Sequence, residues 1–355
     1  MKNPDDIKVT IKPFTTEYTE KCADLLQHLW KENAADRIDR FVWSYLNNPN
    51  VDFVTAVIAV NEQDEVIGFR GYHTLQIYLG KEKRRIAYIA DTVVSPNIRR
   101  MGLFKKMTEY SFQFLIDNDI KLISNLGPSW PPYHGYKKLG FSDLHIFTSR
   151  YRFHLTRLIK AKTLGYNKPI LESDYTKQKS GITYYVSNKL PNDNVLSQID
   201  NASDESLIMP YRGIDNLKWK SAHPKANYIY VYALNESGKL LTFLWFKYIE
   251  NGVYNLALYQ SVDKSTLGKA YKLFAKHCKP TVVAAWDWAI TSQSKKILDR
   301  LNFVKIPFFY RLRKNPPAIV RSLVSDDKGL NWVFNGIDIS KAENWIVDKI
   351  EADSF

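Results

Sequence analysis

The chain has 355 residues, 45% of them apolar and 14% aromatic, enough to fill real cores and to exclude a disordered polymer. A formal net charge of +13 points to acidic partners. The lysines and arginines are scattered, however, and no helix-turn-helix, finger or RNA-binding signature accompanies them, which favours a small phosphate-bearing ligand over nucleic acid.

Cys22 and Cys278 lie far apart without metal spacing, so neither a disulfide framework nor a metal site is expected. The first residues (Lys2, Asp5, Asp6, Lys8) are too charged for a signal peptide, and no apolar run approaches the ~20 residues of a membrane helix. The expectation is a cytoplasmic protein. Nothing in the sequence sets an oligomeric state.

In chain order, Ile7 to Phe14 reads as a strand and Thr15 to about Trp30 as a helix. A second helix, Arg37 to Leu46, stops at Asn47-Asn48-Pro49. Phe53 to Val60 and Val66 to Leu79 are strands joined by the turn Asn61 to Glu65, and Arg85 to Val94 is a third. A helix with Leu103, Met107, Tyr110, Phe114 and Leu115 at helical spacing follows. Ile120 to Leu126 is a short buried strand, Tyr133 to Leu139 a helix closed by Gly140, and Phe147 to Leu155 alternates as a final strand. Strands alternating with helices predict an α/β (α+β) fold.

The second half replays this order. Arg40 to Phe69 has a twin in Asp215 to Phe243, with Trp43 and Trp219 lying 176 positions apart. The Asn-Glu turns at Asn61 and Asn235 match, as do Leu139-Gly140-Phe141 and Leu301-Asn302-Phe303. A diverged duplication predicts a first domain over residues 1–155, a polar linker over 156–180, a second domain over 181–316 and a tail over 317–355.

Between Val94 and Leu103 the chain passes through Ser-Pro, Arg99-Arg100 and Gly102 straight into a helix. Free N–H groups at a helix start point at an anion, and a glycine lets the ligand approach the backbone closely. The same residues also suit an ordinary βα turn with two solvated arginines. The second half has Asp263-Lys264-Ser265-Thr266-Leu267-Gly268 there, with an acid and no arginine, so only the first copy is expected to hold phosphate. The second copy is degenerate.

Val94, Pro96, Arg99 and Gly102 match Val-x-Pro-x-x-Arg-x-x-Gly-x-Gly/Ala, with Phe104 replacing the last small residue, and Tyr136-Lys137-Lys138-Leu139-Gly140-Phe141 follows at the right separation. In these two blocks the chain resembles the GNAT N-acyltransferase superfamily, over residues 7 to 155. Phe104 resembles the version found in a subgroup associated with bacterial surface-polysaccharide genes. The resemblance implies two tandem GNAT-like domains, each a twisted mixed sheet flanked by helices, and an acyl-CoA co-substrate, acetyl or longer. It implies pantetheine pairing along Thr92, Val93 and Val94, and pyrophosphate on the turn Arg99, Arg100, Met101, Gly102, Leu103 and Phe104. The Val94 N–H would polarise the thioester carbonyl. Tyr136 occupies the position of the acid that protonates the leaving thiolate, which a phenol can do at neutral pH.

Asp91, His134 and His73 are alternative bases for the acceptor ammonium, and release to bulk water is a fourth possibility. Asp91 could equally orient the amine, and Asn125 could bond substrate or water. His73, with Trp286, Asp287 and Trp288 of the second copy, is a candidate for contact with the acceptor, by stacking and hydrogen bonding. The tryptophans would serve equally as a domain interface. The acceptor implied is a small-molecule amine, best matched by a nucleotide-linked amino sugar. Another amine (aminoglycoside, amino acid or protein lysine) and a CoA-binding pair without turnover are the alternatives.

Overall fold

The computed structural model describes residues 8–144, 148–164, 171–199, 203–306, 316–327 and 329–352. Ile7 and Phe147, expected at strand ends, lie outside them. The first half lays down β1 (Thr10–Pro13), α1 (Thr19–Leu25), α2 (Ala34–Phe41), β2 (Ala56–Val60), β3 (Val66–Leu79), β4 (Glu82–Val94), α3 (Leu103–Asp117), β5 (Leu122–Asn125), α4 (Trp130–Lys138) and β6 (Ser142–Asp143). The helix expected from Thr15 to Trp30 is divided, with α1 flanked by 3-10 turns at Thr16–Tyr18 and Leu26–His28. Asn33 caps α2 by accepting the Asp36 N–H, and a π turn over Val42–Leu46 extends the helix to Asn47.

The chain continues through β7 (Ser149–Phe153), α5 (Leu155–Leu164), β8 (Tyr175–Lys179), β9 (Ile182–Ser187), α6 (Asp193–Leu196), β10 (Ile208–Pro210) and α7 (Ile214–Ser221). Then come β11 (Asn227–Asn235), β12 (Leu240–Tyr248), β13 (Val253–Ser261), α8 (Lys264–Cys278), β14 (Val282–Trp286), α9 (Ser292–Arg300), β15 (Val304–Lys305) and β16 (Ile319–Ser322).

Among the described residues these strands form two eight-stranded sheets, one in the order β1-β2-β3-β4-β5-β16-β6 with β10 added to β3, the other β15-β7-β14-β13-β12-β11-β9-β8. Helices cover both faces, which is why β2 (AVIAV) is buried at every residue instead of alternating. The fold is two tandem GNAT-like domains, each a mixed sheet flanked by helices.

The sequence division into residues 1–155 and 317–355 is crossed by an exchange of strands. β7, expected to close the first sheet, lies between β14 and β15 of the second. In return β16, from the stretch that matches neither copy, lies between β5 and β6 of the first. Strand pairing is decided by which edge lies in reach, and that has no signature in a strand's own residues. The expected linker carries α5 and β8 as ordered structure.

The repeat is visible as a contact. Trp43 and Trp219 stack 5.1 Å apart at 13°. Each indole N–H donates to the other's backbone carbonyl, at 2.7 and 2.8 Å. Around them a core shared by both halves takes in Leu75, Tyr88, Trp288 and Trp345.

Candidate active site

β4 and β5 pair in parallel only at Ala87–Ile123 and Tyr88–Ser124. Beyond Tyr88, β4 runs on to Val94 along β3 while β5 turns away after Asn125. The gap leaves the outer edge of Thr92, Val93 and Val94 without a strand partner, an opening in which an extended ligand can pair with the backbone.

At its end the chain makes a 3-10 turn, Pro96–Ile98, and Arg99 Nε donates to the Val94 carbonyl at 3.3 Å. Arg100 and Gly102 both take left-handed backbone, at φ 71° and 73°. For arginine this costs about 1–2 kcal/mol; for glycine it is free. Gly102 is the N-cap of α3 and supplies no side chain to the helix start, and a Cβ built there would meet nothing within 4 Å. Leu103 is buried, while Met101 and Phe104 are partly so. The first amides of α3 are thus left open to an anion, with Arg99 and Arg100 beside them.

The equivalent start in the second half is closed. Asp263 caps α8, its Oδ2 accepting the Thr266 N–H at 2.6 Å, and that backbone bond holds its carboxyl below the usual range. The anion that a phosphate would supply is built into the chain.

On the α3/α4 side of the gap lies a buried arginine that the sequence reading passed over. Arg70, on β3, has no exposed surface. Its Nε donates to the Tyr72 hydroxyl, and Nη1 reaches Thr92 Oγ1 at 3.2 Å and the Tyr136 hydroxyl at 3.3 Å. Tyr136 is buried on α4, its ring 5.2 Å from Phe104 and 5.1 Å from Phe141. Phe104 fits because residue 135 is glycine: a Cβ there would stand 2.6 Å from Phe104 Cε1. The signal for Arg70 was available, since an arginine followed by glycine interrupts an otherwise apolar strand run, Val66-Ile67-Gly68-Phe69.

On the opposite face stands Asp91, which accepts the Tyr45 hydroxyl at 2.6 Å and the Trp30 indole N–H at 3.0 Å. Withdrawal from water raises its carboxyl above the usual range, against the two hydrogen bonds and Arg40, which favour the ionised form. Neither Tyr45 nor Trp30 had been singled out as its partner.

The remaining candidates are dispersed. His134 is exposed on α4, packed on Trp130 and Tyr133, and two positions along a helix put it on the face opposite to Tyr136. His73 is buried edge-on to Trp43 and Trp219, and burial, then Lys220, keeps it neutral well below its ordinary value. Asn125 Oδ1 accepts the Gly127 N–H at 2.9 Å and shapes the turn after β5. Asp287 is buried against Arg150 and Lys305, 2.5 Å from each. Trp288 is 6% exposed in the shared core, with Trp286 packed against it. Asp287 is thus engaged by two cations, and the two tryptophans lie in or against the shared core.

Residues 10–143 match the acetyltransferase (GNAT) domain family. No curated protein matches the sequence. Among solved structures, a probable N-acyltransferase from Enterococcus faecalis V583 superposes with a TM-score of 0.58 at 10% identity, over 89% of this chain and 73% of that one. A GNAT N-acetyltransferase from Anabaena variabilis gives 0.57 at 10% identity, over 89% and 73%. A tandem GNAT protein from the clavulanic acid biosynthesis pathway gives 0.51 at 10% identity, over 90% of this chain and 100% of that one. At such identities the likeness is one of fold. Together with the parted strands, the open α3 turn and Tyr136, the domain match shows that residues 10–143 form an acetyltransferase (GNAT) domain.

Proposed function

We propose that the first half carries out direct acyl transfer from acyl-CoA to a primary amine, and that the second half has no donor site of its own. The observation that carries this reading is the contrast between two helix starts. α3 is uncapped beside parted strands, and α8 is capped by Asp263. The residues of the first half suit the donor. The β4 edge suits an extended pantetheine, and the amides from Arg100 to Phe104 suit a pyrophosphate. The amine nitrogen bonds to the acyl carbon, the carbon–sulfur bond breaks, and the Tyr136 proton passes to sulfur. The ammonium proton is lost to Asp91 or to water. Acid and base flank the gap from opposite faces of the sheet, so the amine and the departing thiol need not share one approach.

For the acceptor we propose a nucleotide-linked amino sugar. The reading is supported by the surface-polysaccharide variant that the turn with Phe104 resembles and by the net charge of +13, which would draw in a diphosphate.

Free-thiol release from acetyl-CoA and longer acyl-CoAs, against a panel of amines, tests both levels. Turnover with amino sugars on a nucleotide, slowed ~10² to 10⁴-fold by Tyr136→Phe with unchanged acyl-CoA affinity, is the expected result. Turnover confined to aminoglycosides, amino acids or protein lysines rejects the sugar alone. Absence of acyl-CoA binding rejects the donor site.

A further inference from the structure

We infer that Arg70 is a positioning residue that makes Tyr136, and not Tyr72, the proton donor of the site. The inference rests on the acyl-transfer reading above and specifies how its acid is set.

Arg70 is placed where a folding role alone would not put it. It is fully buried, and no carboxylate among the described residues is hydrogen-bonded or ion-paired to it. Its Nη2 is buried without any hydrogen-bond partner. An uncompensated buried charge costs several kcal/mol, and an apolar side chain of similar size would leave the fold more stable. The neighbours are hydroxyls, from Tyr72, Thr92 and Tyr136. Each satisfies a donor without neutralising the cation.

A guanidinium can only donate, so both tyrosine oxygens accept from it and must send their own protons elsewhere. The two destinations differ. Ser111 Oγ donates to the Thr108 carbonyl at 2.7 Å and therefore accepts from the Tyr72 hydroxyl 2.5 Å away. The chain Arg70, Tyr72, Ser111, Thr108 is thus closed in one direction, and the Tyr72 proton is committed to the fold. For Tyr136 no such acceptor is found among the described residues. Its oxygen is held by Nη1 and its proton is free to be given, on the side where Thr92 lines the parted edge of β4.

When Tyr136 gives that proton to the leaving sulfur, the O–H bond breaks and an S–H bond forms. The phenolate left behind stands beside Arg70, the counter-charge the cation lacks at rest.

The test uses the full chain and compares Arg70→Met, Arg70→Lys, Tyr72→Phe and Tyr136→Phe in thiol release, with acyl-CoA affinity measured separately. Arg70→Met is expected to lower kcat about 10-fold to 10²-fold, within the range of general acid catalysis, with affinity unchanged. Arg70→Lys keeps the charge and should recover part of the lost kcat, and Tyr72→Phe should cost less than Arg70→Met. On a Tyr136→Phe background, Arg70→Met should cost less than about 2-fold more, since residues acting as a unit are non-additive. If Arg70→Met does not fold, the same coupling is read with Arg70→Lys in the two backgrounds. A slowed Tyr136→Phe with an unimpaired, folded Arg70→Met overturns the inference alone, as does an equal loss from Arg70→Met in both backgrounds. An unimpaired Tyr136→Phe overturns the reading of the acid and the inference with it.

Discussion

Gly135 and Phe104 fit each other: the ring of one occupies the space that a side chain on the other would need, a built Cβ standing 2.6 Å from Cε1. Gly135→Ala should therefore destabilise the protein by about 1–3 kcal/mol, the usual cost of overpacking, even though alanine is the better helix former. Because Phe104 also packs on Tyr136, turnover should fall as well. Adding Phe104→Leu should recover stability in urea unfolding. A Gly135→Ala protein of wild-type stability and rate would show that the contact gives way freely.

The two turns into α3 and α8 predict opposite responses to one substitution. Gly102 has φ 73° and open space where a Cβ would project, so Gly102→Ala should lower the melting temperature and Gly102→Val should weaken CoA binding severely. Gly268 lies inside α8 with nothing within 4 Å, so Gly268→Ala should be neutral or stabilising, by up to ~1 kcal/mol, and leave CoA binding alone. Calorimetry on folded variants decides it. Equal losses of affinity at both glycines would reject the asymmetry of the halves.

Asp91 should give kcat/KM an acidic limb. Burial raises its carboxyl above the usual range, and the carboxylate is the form that accepts a proton, so activity should rise as pH climbs through the raised value. Stability runs the other way. A carboxyl whose folded value is raised contributes stability below its unfolded value and loses it as pH rises through the folded one. Asp91→Asn should therefore flatten the acidic limb and lower the rate, while costing least in stability at neutral pH. An unchanged limb in the variant assigns proton loss to water.

Glu351 offers the same test away from the site. Burial raises its carboxyl to about 7, with Lys220 opposing, so that above this value the fold holds a buried charge. Glu351→Gln should gain melting temperature relative to wild type as pH rises from the ordinary value of 4.5 to about 7, hold that gain above it, and differ little at lower pH. A difference independent of pH would mean that the carboxyl is ionised across the range.

The turn proposed to take the donor was legible as local structure. A strand end, a left-handed glycine and a helix start follow one another within Val94 to Leu103, and Tyr136 is fixed by the block that ends at Phe141. The pairing of Trp43 with Trp219 was likewise visible as a repeat before it became a contact. For Arg70 only the interruption of an apolar run was visible, because a strand's sequence does not say which of its residues will be sealed from water. His134 is near Tyr136 along the chain but not around the helix, a distinction that residue spacing alone does not draw. Asp287 and Trp288 stand next to each other in an aromatic stretch, yet their partners Arg150 and Trp345 come from β7 and from near the end of the chain. Such pairings cannot be read from neighbours in sequence.

The exchange of β7 and β16 also sets the order in which the molecule can be made. A nascent chain emerging N-terminal first has β5 and β6 early, but the strand that sits between them is Ile319–Ser322, almost two hundred residues after β5, as the separation of 195 between Ser124 and Ile319 shows. Until then the first sheet keeps an unpaired edge at β5, and β7 waits for β14 to be synthesised. Contacts so distant in sequence slow folding and leave strand edges open to association with other chains. The half proposed to carry acyl transfer is thus the first to be translated and among the last to be finished, and its completion depends on a strand made after the other half.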